Sequence, residues 1–306
     1  MNKPGGRFIV LNIIIITSVA ALIAVLMYVF GKPQEMTVLR ILGIIALMLG
    51  PVWIGSFLSS KIAMKPVQES WQRQLDFTAD ASHELRTPLA VIQSNLELVM
   101  DNPGETVESQ KKWLNNIHIE TIHMAGLVDD LLTLSRADTG SQTLEYSHFS
   151  LNSAVIEIAA LFETMANQKG IVIDVVSGGE ILFFGDHSRI KQLLSILVDN
   201  SVKYTDRPGN IRITLSKKDR AVQLVVSDTG RGIAPAHLPK IFNRFYRAEN
   251  DKQAVKGFGL GLSIAEWIVR EHGGSIRAES AEGEGARFTV EFARSRLWRK
   301  PPPDRC

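Results

Sequence analysis

Three short stretches bring together side chains whose types could do chemistry. In "SHELRTPLA" (82–90), His83 has a carboxylate beside it, Glu84, and a hydroxyl four residues on, Thr87, followed by Pro88. A spacing of four places His83 and Thr87 on one helix face. The combination with the adjacent Glu84 and with Pro88, which disrupts backbone hydrogen bonds there, sets His83 apart from a merely solvated histidine on a charged helix face. The second stretch, "LLSILVDNSVKYT" (193–205), is an apolar helix that turns polar at its end. Asn200 there offers an oxygen of the kind Mg2+ takes together with phosphate oxygens and water, and Lys203, one turn later, can reach a phosphate. Glycine marks the third element twice. "SDTGRGI" (227–233) ends a strand on Asp228, Gly230 and Gly232, and "KGFGLGLSIAEWIV" (256–269) sets Gly257, Gly259, Leu260 and Gly261 directly before a strongly apolar helix. Glycines at a helix start let the backbone approach a phosphate whose charge the helix N-terminus favours. Neither a P-loop lysine and hydroxyl nor a Rossmann βαβ context accompanies them, so those two nucleotide folds fit poorly.

The elements that position these residues follow from periodicity. Around His83, the residues Leu85, Leu89, Ile92, Leu96 and Val99 recur at spacings of 4, 3, 4 and 3, the rhythm of a helix packed on helices. At about 100° per residue they lie roughly 160–240° around the axis from His83, which therefore points away from the seam. The pattern predicts a helix over 66–100, a turn at "DNPGE" (101–105) and a second helix over 106–137. The second helix carries Ile117, Met124, Leu127, Leu131 and Leu134, with Glu120 interrupting the stripe. One hairpin cannot bury two such seams, so dimerisation into a four-helix bundle is expected. His118 and His123, five apart, are poorly spaced to share a metal and read as structural. From 144 onward, strands at 171–177, 181–185, 211–217, 221–228 and 286–292 alternate with helices at 151–168, 187–203 and 260–272, which predicts an α/β sandwich.

The first 60 residues suit a different solvent. No charged residue occurs from Phe8 to Phe30, about 23 positions, and 41–58 supplies about 18 more, each run long enough to cross about 30 Å of hydrocarbon. Two transmembrane helices with a short loop at 31–40 are expected. Lys3 and Arg7 before the pair, with Lys61, Lys65 and Arg73 after it, place both ends in the cytoplasm, which makes this a multi-pass protein of the cell membrane. A formal charge of +2 gives no nucleic-acid signal, and no nucleic-acid partner is expected. The single cysteine, Cys306, excludes an intramolecular disulfide and a cysteine zinc site.

Taken in order, His-Glu-x-x-Thr-Pro, Asn-x-x-Lys-Tyr-Thr, Asp-x-Gly-x-Gly, "IFNRFYR" (241–247) and Gly-x-Gly-Leu-Gly resemble the sensor histidine kinases of bacterial two-component systems, over roughly residues 67–292. The resemblance implies a HisKA-type dimerisation and phosphoacceptor hairpin and a GHKL-type α/β sandwich that binds ATP with Mg2+. It assigns His83 as the phosphoacceptor, Glu84 as the group that orients the ring or takes its proton, and Thr87 as the residue that positions hydrolytic water where relatives act as phosphatases. It puts Asn200 on Mg2+, Lys203 and Tyr204 near the phosphates, and Asp228, with Gly230 and Gly232, at the adenine. Gly257, Gly259, Leu260 and Gly261 form the lid and phosphate loop, which Phe242 and Phe245 anchor to the acceptor helices. Two positions depart from the family pattern: Ile196 stands where many relatives have a second Asn, and Ala286 where threonine is common. An ATPase that uses nucleotide only as a switch would not need His83 and its neighbours, and a scaffold acting mainly as a phosphatase would keep Thr87.

The expected organisation is two transmembrane helices in 1–60, the phosphotransfer hairpin in 61–140, the catalytic ATP-binding domain in 141–294 and a basic, proline-containing tail in 295–306. The expected partners are a second copy of the chain and a cognate response regulator. With no relay module between Leu58 and His83 and a loop too short to form a pocket, the stimulus is expected to enter through the membrane, from the bilayer or from a membrane partner such as a transporter.

Overall fold

The structure, a computed structural model, describes residues 18, 19, 22, 23, 26, 64, 68, 71, 72, 74–140, 143–218, 221–248 and 257–293. The two expected membrane spans and the 295–306 tail lie almost wholly outside the described residues, among which no helix is long and apolar enough to cross a membrane. The chain divides into two units, 1–79 and 80–306. In the first, residues 74–79 are helical.

The second unit opens with a helical hairpin. Helix α1 occupies 80–100 and α2 runs Val107–Thr139. Thr106 starts α2 by accepting a hydrogen bond from the Ser109 amide through its side chain, and Gly140, at φ 63°, ends it with the left-handed residue that closes many helices. The register of the two helices is held by Asn95, which is buried and accepts at Oδ1 from Asn116 Nδ2 at 3.1 Å, while Gln110 Nε2 donates to the Asn102 carbonyl at 2.7 Å. A part-buried amide pair in an apolar seam favours one register because a slip leaves the buried Asn95 unsatisfied. The α2 stripe read from sequence turns inward as expected, with Leu127 and Leu134 fully buried and Ile117, Met124 and Leu131 half-buried. On α1, Leu85, Ile92 and Val99 are half-buried, whereas Leu89 and Leu96 stand exposed at 54% and 46% in the single chain.

The remaining elements form the α/β sandwich: β1 (Tyr146–Ser150), α3 (Leu151–Gln168), β2 (Ile171–Ser177), β3 (Leu182–Asp186), α4 (His187–Tyr204), β4 (Gly209–Lys218), β5 (Ala221–Asp228), α5 (Gly261–Glu271), β6 (Gly274–Ser280) and β7 (Ala286–Ala293). The main sheet has the order β2-β4-β5-β7-β6, with β2 parallel to β4 and the other pairs antiparallel, and β1 pairs with β3 in a separate ribbon. Two strands were not anticipated. β1, "YSHFS", is short, polar at its centre and half-exposed, and β6, "GSIRAES", is an edge strand with alternating exposure. Neither has an apolar run strong enough to stand out without its partner.

Register makes the core. Ile213 opposes Val226, Leu215 opposes Leu224, and these face Phe288 and Val290 on β7, so one face of the sheet is a continuous apolar layer. Helix α4 covers it with Ile190, Leu193, Leu194, Leu197, Val198 and Val202 at helical spacing, and α3 and α5 pack beside it. Its opposite stripe, Ile196, Asp199, Asn200 and Lys203, is thereby turned away from the sheet, which is how the fold presents the candidate ligands. His272, 0% exposed, ties the layers together. Its Nε2 accepts from the Asp186 amide at 3.0 Å and its Nδ1 donates to the Ile268 carbonyl at 2.7 Å, a pattern that fixes the neutral Nδ1–H tautomer.

Candidate functional site

The residues singled out by sequence converge on one cavity of about 1440 Å3 between the hairpin and the sandwich. The hairpin contributes His83, Glu84, Thr87 and Pro88. His83 and Thr87 are exposed, as their distance from the seam requires, while Pro88 is buried. Helix α4 contributes the stripe Ile196, Asp199, Asn200 and Lys203, together with Tyr204. Asp228 and Gly232 line the far end, and Gly257, Gly259, Leu260 and Gly261 close the side at the start of α5. Of the predicted set, Gly230 acts from behind the wall and Phe242 lies off it, whereas Phe245 lines the cavity.

Asp228 is the most firmly held group. Its Oδ1 accepts from the amides of Gly230 at 3.0 Å and Ala286 at 3.1 Å, and its Oδ2 accepts from Ser201 Oγ at 3.2 Å. Burial pushes the carboxyl above the usual aspartate range, against the pull of those three donors. A half-buried carboxylate with fixed orientation is a selective acceptor for a donor such as an exocyclic amine. Ser201, one turn beyond Leu197 on the buried stripe of α4, was missed in the sequence because it reads as an ordinary small core residue. Ala286 supplies only its backbone amide here, so its side-chain departure from the family pattern leaves this contact intact.

Two of the glycines that line the cavity are required by backbone approach. At Gly232, φ is 72° and a Cβ would lie 1.9 Å from the Ala281 carbonyl oxygen; at Gly259, φ is 73° and a Cβ would lie 2.8 Å from the Phe245 carbonyl carbon. Gly259 therefore seats the "FNRFYR" segment, in which Phe245 itself adopts φ 58°, a left-handed conformation costing on the order of 1 kcal/mol for such a residue. Tyr246 Oη and His237 Nδ1 are 2.6 Å apart in the same wall. Gly261 sits on Ile196, with Ile196 Cγ2 3.2 Å from a Cβ built there. Ile196 thus forms an apolar floor beneath the glycine loop rather than a polar ligand. The N-cap of α5, Leu260, makes no side-chain capping hydrogen bond, which leaves the first amides of that helix to an anion.

Charge is distributed across the cavity in pairs. Lys203 Nζ bonds Asp199 Oδ2 at 2.6 Å on the same helix, and the Arg231 guanidinium lies 4.8 Å from the Tyr204 ring centroid. Asp130 of α2 also lines the cavity. Burial raises its carboxyl to about 6, Asp129 adds to the rise and Lys203 opposes it. His123 is 3.3 Å from Glu120 through Nδ1 and Oε2, in keeping with a structural reading. Among the described residues no cluster of histidine, cysteine and carboxylate side chains has metal-holding geometry. A cation in this cavity would therefore depend on Asn200 and on oxygens of a bound phosphate, a donor set that suits Mg2+.

Comparison with known proteins agrees with this geometry. Residues 73–140 match the His Kinase A (phospho-acceptor) domain, and residues 185–296 match the histidine kinase-, DNA gyrase B-, and HSP90-like ATPase domain. The chain is 35% identical over 262 residues to the sensor histidine kinase RppB of Synechocystis sp. (strain ATCC 27184 / PCC 6803 / Kazusa), covering 85% of this chain and 58% of that protein. It thus spans little more than half the length of that relative. Among solved structures, the histidine kinase AdeS of Acinetobacter baumannii superposes with a TM-score of 0.57 at 26% identity, covering 69% of this chain and 97% of that one. The histidine kinase ThkA, in complex with the response regulator protein TrrA, superposes with a TM-score of 0.58 at 27% identity, covering 76% of this chain and 66% of that one.

Proposed function

The chain belongs to the histidine kinase family, and on that premise we propose that it transfers the γ-phosphoryl group of ATP to His83 and then to an aspartate of a response regulator. The observation that carries the reading is that His83 lines the same cavity as Asn200, Lys203, Asp228 and the glycine loop. A nucleophile and a nucleotide site contributed by two domains meet in one space.

The roles follow from position. Asp228, held by three donors, accepts from the adenine amino group and so favours ATP over GTP. The uncapped start of α5 and the amides at Gly257, Gly259 and Gly261 receive phosphate oxygens, and Lys203 adds a positive charge. Asn200 is the residue that would hold Mg2+, which when bound supplies neutralisation of phosphate charge. The His83 imidazole forms a nitrogen–phosphorus bond as the bond to the β-phosphate oxygen breaks and ADP leaves with the electron pair. Glu84 orients the ring or accepts its proton. Little covalent help is needed from the protein, because phosphoryl transfer depends on positioning and charge stabilisation. Thr87, on the His83 face, positions water for dephosphorylation of the regulator.

The exposed seam residues Leu89 and Leu96 support a homodimeric four-helix bundle, since a second copy would cover them. The two apolar runs in 1–60 support a multi-pass membrane protein with cytoplasmic kinase domains, and the short loop between them supports a stimulus that enters through the membrane, from the bilayer itself or from a membrane partner such as a transporter. The test is incubation of the full chain with γ-labelled ATP and Mg2+. Label that is acid-labile and base-stable, and that is lost in His83→Gln, is expected; absence of such label in the wild type would overturn the reading.

A further inference from the structure

Arg231 has no part in the chemistry above, yet its placement is tightly specified. Its backbone is held on both sides: the amide donates to the Tyr204 carbonyl at 3.2 Å, and the carbonyl accepts from the Gly283 amide at 2.7 Å. The residues beside it leave little room for another arrangement. A Cβ at Gly230 would overlap the Tyr204 carbonyl oxygen, and one at Gly232 would overlap that of Ala281. From this fixed point the side chain reaches the Tyr204 ring, its guanidinium carbon 4.8 Å from the ring centroid. Arg231 and Tyr204 both line the cavity and both are half-buried.

Tyr204 is the last residue of α4, and its carbonyl ties that helix end to the loop that follows Asp228. Ser201, one turn earlier on α4, donates through Oγ to Asp228 Oδ2 at 3.2 Å, while the Gly230 amide donates to Oδ1 at 3.0 Å. The end of α4 and the Asp228 loop are thus joined by the Tyr204–Arg231 backbone bond and the Ser201–Asp228 bond, and the Arg231–Tyr204 stack adds a side-chain link. Lys203, the preceding residue, is directed elsewhere. Its Nζ pairs with Asp199 at 2.6 Å and lies 4.0 Å from a Cβ built on Gly257, in the glycine loop. Consecutive residues of α4 therefore serve two parts of the cavity, Lys203 the glycine loop and Tyr204 the Asp228 loop. A guanidinium over an aromatic face is attracted to it more strongly where the pair is shielded from water, and it restrains the tilt of the ring.

We propose that Arg231 is a positioning residue of the nucleotide site: stacked on Tyr204, it fixes that ring as a planar wall for the base of the nucleotide, beside the acceptor that Asp228 provides. The proposal rests on the ATP-site reading above and adds the residue that sets the base end of the cavity. Arg231 acts through the ring and not on phosphate, so its contribution is the same however many phosphates the nucleotide carries. Losing a cation from the face of a half-buried ring is expected to cost about three- to tenfold in affinity.

The experiment is calorimetric titration of the full chain with AMP, ADP and a non-hydrolysable ATP analogue, each with Mg2+, at low and at high salt. Arg231→Met keeps the aliphatic stem and removes the charge, and affinity is expected to fall about three- to tenfold for all three nucleotides alike. Tyr204→Leu is expected to lose at least as much. The double variant should lose no more than Tyr204→Leu alone, since the arginine then has no ring to hold. Arg231→Lys gives the same test if Arg231→Met does not fold: its ammonium stacks less well than a guanidinium, so a loss of about two- to threefold is expected, equal for the three nucleotides and absent in the Tyr204→Leu background. A loss that grows with each phosphate and shrinks with salt, single losses that multiply in the double variant, or wild-type affinity in the Arg231 variants would each overturn the role of Arg231 while leaving the ATP site standing. A wild type that binds none of the three nucleotides would overturn both.

Discussion

Arg244 grips Asp138 with both arms of its guanidinium, Nη1 to Oδ2 at 2.8 Å and Nη2 to Oδ1 at 2.7 Å. The pair joins the end of helix α2 to the segment that Gly259 seats, and so connects the hairpin directly to the wall of the cavity. Both side chains are partly exposed, at 32% and 57%, which limits such a pair to about 1 kcal/mol even with fork geometry. A double-mutant cycle with Asp138→Asn and Arg244→Gln is expected to give a coupling of about 0.5–1 kcal/mol in denaturant unfolding. Arg244→Lys should lose most of it, because a point charge cannot reproduce the fork. A coupling indistinguishable from zero would show that the contact does not tie the domains.

His83 and Asn200 line one cavity from different domains, so their substitutions should separate binding from chemistry. His83→Gln is expected to abolish phosphoryl labelling while leaving affinity for an ATP analogue within about twofold, since the residues proposed to bind the nucleotide are untouched. Asn200→Asp is expected to weaken Mg2+-dependent binding and to lose labelling with it. Labelling retained in the first variant would place the acceptor elsewhere, and undiminished binding in the second would remove Asn200 from the site.

Much of this site was legible because its residues sit at boundaries that sequence marks clearly. The α4 stripe Ile196, Asp199, Asn200 and Lys203 is the complement of an apolar stripe with unbroken helical spacing, so the core pattern alone says which side chains face away from the sheet. Helix α3 and strands β2 and β5 fall where their apolar runs begin and end. What was not legible depends on tertiary neighbours. Ser201 gains its role only because Asp228 is brought against it, and Asp130 looks like any helix-surface acid until the fold half-buries it in the cavity wall. β6 has little apolar pattern of its own and exists because β7 offers it a ladder from Gly274 to Ser280.

The direction of the Asp130 shift carries a stability prediction. A carboxyl whose pKa is raised in the folded state, here to about 6 from 3.8, contributes stability that is present below the unfolded value and lost as pH rises through the folded one. Above about pH 6 the ionised carboxylate is therefore a liability to the fold. Asp130→Asn is expected to raise the melting temperature at pH 7.5, with the advantage shrinking between pH 6 and 4 and gone near pH 4, measured by thermal unfolding without nucleotide. A variant less stable than wild type at pH 7.5 would show that the attraction to Lys203 outweighs burial.

Two glycines that line the same cavity should respond to alanine in opposite ways. Gly126 lies within α2 with nothing within 4 Å of a Cβ built on it, so Gly126→Ala should stabilise the helix by about 0.5–1 kcal/mol through reduced freedom of the unfolded chain. Gly232 combines φ 72° with a Cβ position 1.9 Å from the Ala281 carbonyl oxygen, a backbone atom that no side-chain rotation can clear. Gly232→Ala must therefore push the 281–285 turn away from Asp228, which that turn's neighbour Ala286 helps to hold through its amide. The expected outcome is destabilisation on the order of 1–3 kcal/mol together with at least a tenfold loss of affinity for an ATP analogue, read by thermal unfolding and calorimetry on the same preparation. If Gly232→Ala melted with the wild type and bound the analogue equally well, the close approach at this turn would not be what shapes the Asp228 end of the cavity.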